Sequence, residues 1–174
     1  MKILPPDRTE ADEYYFTYID KVPRDADIVR LLETQLDETT ALLNSISDEK
    51  SHHRYAPEKW SIRQSVSHIN DTERVFVYRA MWFARAFDLP LPSFDQDIAV
   101  ANAGADQVPW RAHVDEFRAV RNASISLFKN LPDEAWDRRG IASGKPFTVR
   151  ALAYMTAGHL THHLIILRER YLSP

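Results

Sequence analysis

Residues Val149–Arg170 read VRALAYMTAGHLTHHLIILRER, and this stretch decides the fold. Val149, Leu152, Thr156, His159, His163, Ile166 and Arg170 recur at strict 3-4-3-4-3-4 spacing, which places them on one face of an α-helix. No proline interrupts the run. Two histidines stand in the middle of that face, one turn apart.

Working outward, the prolines cut the rest of the chain into pieces of similar kind. Proline removes a backbone donor and clashes with the preceding turn, so the spaces between prolines bound the helices. Pro23 to Pro57 leaves 33 residues, Pro57 to Pro90 leaves 32, Pro109 to Pro132 leaves 22, and Pro146 to Pro174 leaves 27. In the first space Ile28, Leu31, Leu32, Gln35, Leu36, Leu43 and Ile46 mark an amphipathic helix over about 25–46. In the second, Ser61 is a candidate N-cap with Gln64 three residues on, the spacing of a capping box. The pattern behind it runs through Ile62, Val66, Ile69, Glu73, Phe76, Ala80, Phe83 and Phe87. The third starts near Trp110 and continues through Val114, Phe117, Val120 and Phe128. Apolar alternation at period two is nowhere sustained, so no sheet is expected. The expected fold is an all-α four-helix bundle over 25–174. Residues 1–24 form an aromatic arm, Tyr14-Tyr15-Phe16-Thr17-Tyr18-Ile19 at its heart, packed across the bundle as cover, lid or dimer contact.

Composition narrows the function. The chain has 174 residues, 44% hydrophobic and 27% charged, which describes one globular domain and excludes wholesale disorder. Four glycines, Gly104, Gly140, Gly144 and Gly158, cannot compose a dinucleotide fingerprint or a P-loop. With no cysteine there are no disulfides, zinc ribbons, iron–sulfur clusters or thiol nucleophiles, so any metal must sit on His, Asp or Glu. A net charge of −3 argues against a nucleic-acid binder. No apolar run approaches a membrane span, and the acidic start is unlike a signal peptide. A cytoplasmic protein acting on a small molecule is expected.

The histidines carry the chemistry. His159 and His163 lie one above the other on the same helical face, where two imidazoles can grip one transition metal. The pair His159 and His162, three apart, is geometrically possible as well, and the stripe favours His163. His68, inside the second helix beside Ser65 and Thr72, is the candidate third ligand. Three protein ligands with positions left open is the pattern of catalytic rather than structural zinc. His52 and His53 fall in a polar turn and are expected in solvent. His113 opens the third helix and is expected at its surface.

The runs YAPEKWSIRQSVSHINDTERVFVYRAMWFAR, PLPSFDQD and VRALAYMTAGHLTHHLIILRERYL resemble the DinB/YfiT-like superfamily of metalloenzymes, over about residues 12–172. The resemblance implies an up-down-down-up bundle, often a homodimer, with a divalent metal on His68, His159 and His163. Some relatives continue the last motif as His-His-Arg-Gly-Gln, a branch that includes transferases of low-molecular-weight thiols. Here His163 is followed by Leu164, Ile165 and Ile166, which departs from that branch.

Three neutral imidazoles leave a divalent ion's charge uncompensated, so the expected centre is a strong Lewis acid for activating water or a thiol. Nitrogen ligands suit zinc or nickel, with iron, manganese or copper compatible. Hydrolysis is the favoured reading, because thiol transfer also needs fixed groups to hold the cofactor. The alternatives are a thiol S-transferase and a non-catalytic metal- or ligand-binding stress protein. Asp71 is the candidate base or ligand-orienting residue. Glu73, on an apolar stripe, calls for a partner among Arg150, Arg168 and Arg121. Asp95, Gln96 and Asp97 lie in the long connection, available either to the site or to helix capping, and Trp60 is expected in the core.

Overall fold

The computed structural model describes residues 3–173, so Met1, Lys2 and Pro174, the outer ends of the expected arm and bundle, lie outside the described residues. Asp12 caps a short turn that runs into α1 (Phe16–Ile19), a single helical turn in the N-terminal arm. Asp27 then accepts from the backbone N–H groups of Val29 and Arg30 and starts α2 (Ile28–Asn44). The capping box forms as its spacing predicts and opens α3 (Ile62–Ala84): Ser61 Oγ accepts from Gln64 N and Gln64 Oε1 accepts from Ser61 N, both at 3.0 Å. Asp95 caps the short α4 (Gln96–Asn102), and α5 (Trp110–Lys129) follows Pro109. Thr148 caps α6 (Val149–Ile166), which runs on into a π-turn over Leu167–Tyr171.

Cross-helix bonds give the directions. Glu33 meets Lys129 at one end of α2 while Asn44 meets Arg111 at the other, so α2 and α5 are antiparallel. Asn70 pairs with Glu116 and Glu73 with Arg121, so α3 and α5 run together. His68 meets His159 and Ser65 meets Tyr171, so α3 and α6 oppose one another. The bundle is up-down-down-up, as expected.

Two apolar clusters fill it. One joins Phe16, Leu32, Phe83, Phe128, Leu152 and Met155, and the other joins Leu43, Val66, Ile69, Val114, Phe117 and Leu160. Between them lies a polar layer. Arg121, wholly buried, forms a forked ion pair with Glu73 at 2.7–3.1 Å and donates to Gln35 Oε1 at 2.9 Å. Ser124 Oγ donates to Glu73 at 2.7 Å, and Gln35 Nε2 donates to the Ala157 carbonyl at 3.0 Å. A buried charge needs a partner and bonds for its remaining donors, and this layer supplies both. Arg121 is thus the partner of Glu73, while Arg150 pairs with Glu10.

Two expectations are corrected. A sheet does form: β1 (Arg139–Ala142) and β2 (Lys145–Thr148) make an antiparallel hairpin. Its turn holds Ser143 at φ 53° and Gly144 at φ 70°, the two successive positive values that suit a tight hairpin. Strands of four residues are too short to show a sustained alternation. The expected helix over 25–46 is shorter, because Asp27 caps it at one end and the last turn closes at Ser45.

Candidate metal centre

His68 projects from α3, and His159 and His163 from successive turns of α6. His159 Nε2 lies 3.2 Å from His68 Nε2 and 3.1 Å from His163 Nε2. One ligating atom from each of the three falls within 4.8 Å of the others. Nitrogens bound to one ion at ~2.0–2.1 Å and arranged tetrahedrally stand about 3.3 Å apart, so the donor set fits a single transition metal. The donor chemistry fits too, since neutral imidazole is a ligand for such ions. His162, the rival candidate, is half-buried and turns its ring edge to Tyr18, with centroids 5.3 Å apart.

The surroundings keep the imidazoles neutral. Burial pushes His68 down to about 4, with repulsion from His162 adding to it. Burial likewise pushes His163 down to about 3, helped by His68 and His162. His159 falls well below its ordinary value through burial, then through its histidine neighbours and Arg121. Thr72 Oγ1 stands 3.3 Å from His68 Nδ1, one turn along α3. When Nδ1–H donates there, the Nε2 lone pair is free for a metal. Trp60 is half-buried rather than in the core and tilts against the His68 ring at 5.0 Å. Phe76 and Tyr18 meet the His159 ring edge-on at 5.8 and 5.2 Å.

Two cavities flank the cluster. One, of about 210 Å³, reaches His68 and His159 and is walled by Tyr14, Tyr15, Tyr18, Phe76, Arg79 and Gln96, among others. The other, of about 260 Å³, reaches His163 beside Trp60, Ser65, Asp97 and Tyr171. Gln96 and Asp97 therefore each border a cavity, while Asp95 spends its carboxylate on capping α4. Asp71 borders neither. Its carboxylate pairs with Arg74 at 3.2 Å, and burial raises its pKa.

Two further placements differ from the sequence reading. His113 is buried, not at the surface, and its Nε2 lies 2.9 Å from the Ala105 carbonyl, where it pins the connection to α5. Its position three residues after Trp110 and four before Phe117, on the apolar stripe, could have shown this. Arg79 was not anticipated at the site, and the arm, expected as cover, lid or dimer contact, lines the first cavity with Tyr14, Tyr15 and Tyr18. Arg79 follows His68 by eleven residues, close to three turns, so both share a face of α3.

Residues 31–167 match the DinB superfamily, and the chain belongs to that superfamily. The chain is 25% identical over 138 residues to an Oceanobacillus iheyensis protein named "Putative metal-dependent hydrolase OB0413", covering 78% of this chain and 79% of that one. Its fold resembles that of YfiT from Bacillus subtilis, described as "a probable metal-dependent hydrolase with an unusual four-helix bundle topology". The TM-score is 0.70 at 16% identity, over 85% of this chain and 90% of YfiT. A mycothiol-dependent maleylpyruvate isomerase shares the fold at TM-score 0.67 and 10% identity, over 84% of this chain and 61% of the isomerase. No described helix is long and apolar enough to cross a membrane.

Proposed function

We propose that this chain is a metal-dependent hydrolase whose His68, His159 and His163 hold one divalent transition-metal ion. The observation that carries the reading is the convergence of three Nε2 atoms, on the buried His68 and His159 and the half-buried His163, at ion-sharing distances. The name of the Oceanobacillus relative agrees with it. A divalent ion held by neutral ligands would supply Lewis-acid chemistry, polarising a carbonyl and lowering the pKa of water towards ~7.

The chain's own residues prepare that chemistry. Burial keeps the imidazoles unprotonated at neutral pH, and Thr72 Oγ1 stands 3.3 Å from His68 Nδ1, where it can accept from that nitrogen. The rings of Tyr18, Trp60 and Phe76 shield the cluster from bulk water. Burial and the hydroxyl of Tyr14 raise the Tyr18 pKa, so its phenol stays protonated and serves as a donor rather than a base. Asp71 is left out of the proposed chemistry because Arg74 holds its carboxylate.

The test compares chelated protein with zinc- and nickel-loaded protein on a panel of esters and amides. Metal-dependent turnover that disappears in His159→Ala is the expected result. Saturable transfer of one biological thiol to chlorodinitrobenzene, with no hydrolysis, would replace this reading by thiol transfer. Metal uptake without either activity would make the centre a binding site.

A further inference from the structure

Arg79 is 3% exposed, yet no carboxylate among the described residues forms an ion pair with it. Its Nη2 donates to the Pro92 carbonyl at 3.1 Å and to Ser143 Oγ at 2.9 Å. The Tyr15 phenol stands close enough to offset part of the burial, which pulls the guanidinium's pKa below its ordinary value. All three of these partners are formally neutral. The other buried arginines are treated differently. Arg121 has Glu73, and Arg63 has Asp48. A guanidinium withdrawn from water without a counterion is costly, and both of its hydrogen bonds run from one nitrogen to neutral acceptors.

The side chain also borders the cavity of about 210 Å³ that ends at His68 and His159. None of the residues lining that cavity is acidic. The acidic residues of the connecting loop, expected to repel an anion, lie elsewhere: Asp95 caps α4 and Asp97 faces the other cavity. Arg79 and His68 are eleven positions apart on α3, about 16 Å along the axis at ~1.5 Å per residue. The reach of an arginine side chain shortens that span but does not close it.

From this placement we infer that Arg79 is the binding residue for a substrate carboxylate, and that the substrate is a small elongated monocarboxylic acid whose hydrolysable bond lies several bonds from its acid group. The inference rests on the hydrolase reading for what happens at the far end. The near end stands on Arg79 alone. A planar guanidinium matches a planar carboxylate with two parallel hydrogen bonds, which a lysine cannot reproduce. The Tyr14, Tyr15 and Gln96 side chains line the space between and offer neutral donors. Arg79 thus selects for charge while the histidine cluster acts on the bond.

The experiment uses the full chain, with and without bound zinc, and two probes of the same shape. 4-Acetamidobenzoate carries a carboxylate at one end and an acyl amide at the other; 4-acetamidobenzamide is its neutral counterpart. Calorimetric titration should show the acid binding at least tenfold more tightly than the amide, in metal-free protein as well. Arg79→Met should abolish the preference without changing zinc content, and Arg79→Lys should restore only part of it. Equal binding of the two probes by the unaltered chain would overturn the inference. A preference unchanged in a folded Arg79→Met or Arg79→Lys protein would also overturn it. Zinc content separates the two readings. A chain that takes up no metal but prefers the acid loses the hydrolase reading and keeps this one. A chain that binds zinc and shows no preference does the reverse.

Discussion

The carbonyl of Tyr18 occupies the space that a Cβ on Gly158 would fill. This close approach lets α1 lie directly on α6, and it sets the Tyr18 ring against His159, the next residue along. The arm is therefore a wall of the candidate site, and one missing side chain admits it. Gly158→Ala should cost about 1–3 kcal/mol through overpacking, set against about 1 kcal/mol from alanine's better helix propensity. The expected outcome is a fall of a few degrees in melting temperature and faster amide exchange over residues 16–19. A higher melting temperature with unchanged exchange would show that the arm does not press on α6.

Removing one half of the buried pair should be far worse than removing both. Arg121 is wholly buried and Glu73 is 3% exposed, so Arg121→Met strands a carboxylate between two apolar clusters. A loss of about 3–5 kcal/mol is expected by urea unfolding. The double change Glu73→Leu with Arg121→Met should recover much of it, since apolar groups of similar volume replace a buried pair at little cost. A single-variant loss under about 1 kcal/mol would mean that water reaches this layer.

Long-range order was legible where the sequence repeats a physical demand over many residues. The 3-4 stripe of α6, the Ser61 and Gln64 box, and the prolines each report backbone or burial constraints that act locally. His159 and His163 could be singled out because the α6 stripe carries polar residues where only apolar ones are cheap, whereas His68 stood out as the one histidine of α3 and through the family resemblance. The hairpin was missed because four-residue strands leave too little period to read, although Ser143-Gly144 is a turn signal. Arg79 was missed for a different reason. A lone arginine on a helix reads as a solvated residue until the hairpin turn and the 88–95 connection close over it, and neither is encoded near Arg79.

The histidine cluster should also govern the acid stability of metal-free protein. His68 is held down to about 4 and His163 to about 3, against ~6.5 in an unfolded chain. Below ~6.5 the unfolded chain takes up protons that the folded one refuses, so stability is present at neutral pH and is lost as pH falls towards those values. Each such histidine contributes up to about 1.4 kcal/mol per pH unit within the window. Urea unfolding at pH 6 and pH 5 with chelator should therefore show a slope about 2–3 kcal/mol per unit shallower in the double variant His68→Gln with His163→Gln. Equal slopes would mean that these rings are charged in the folded protein.

Metal content distinguishes the two spacings that the sequence left open. His163 shares the Nε2 convergence with His159 at 3.1 Å, whereas His162, equally half-buried, packs against Tyr18 and stands outside the cluster. An ion at the cluster must lie within ~2.1 Å of each ligand, so a ring aimed elsewhere cannot join without rebuilding the turn of α6. Protein purified without an affinity tag should carry close to one transition-metal equivalent by elemental analysis. His68→Ala, His159→Ala and His163→Ala should each lose most of it, and His162→Ala should retain it. Circular dichroism should stay helical in all four, because the two apolar clusters fold the bundle without the ion. Loss in His162→Ala with retention in His163→Ala would assign the ion to the pair three residues apart. Retention in His68→Ala would remove α3 from the centre, and with it the shared face that links the ion to Arg79.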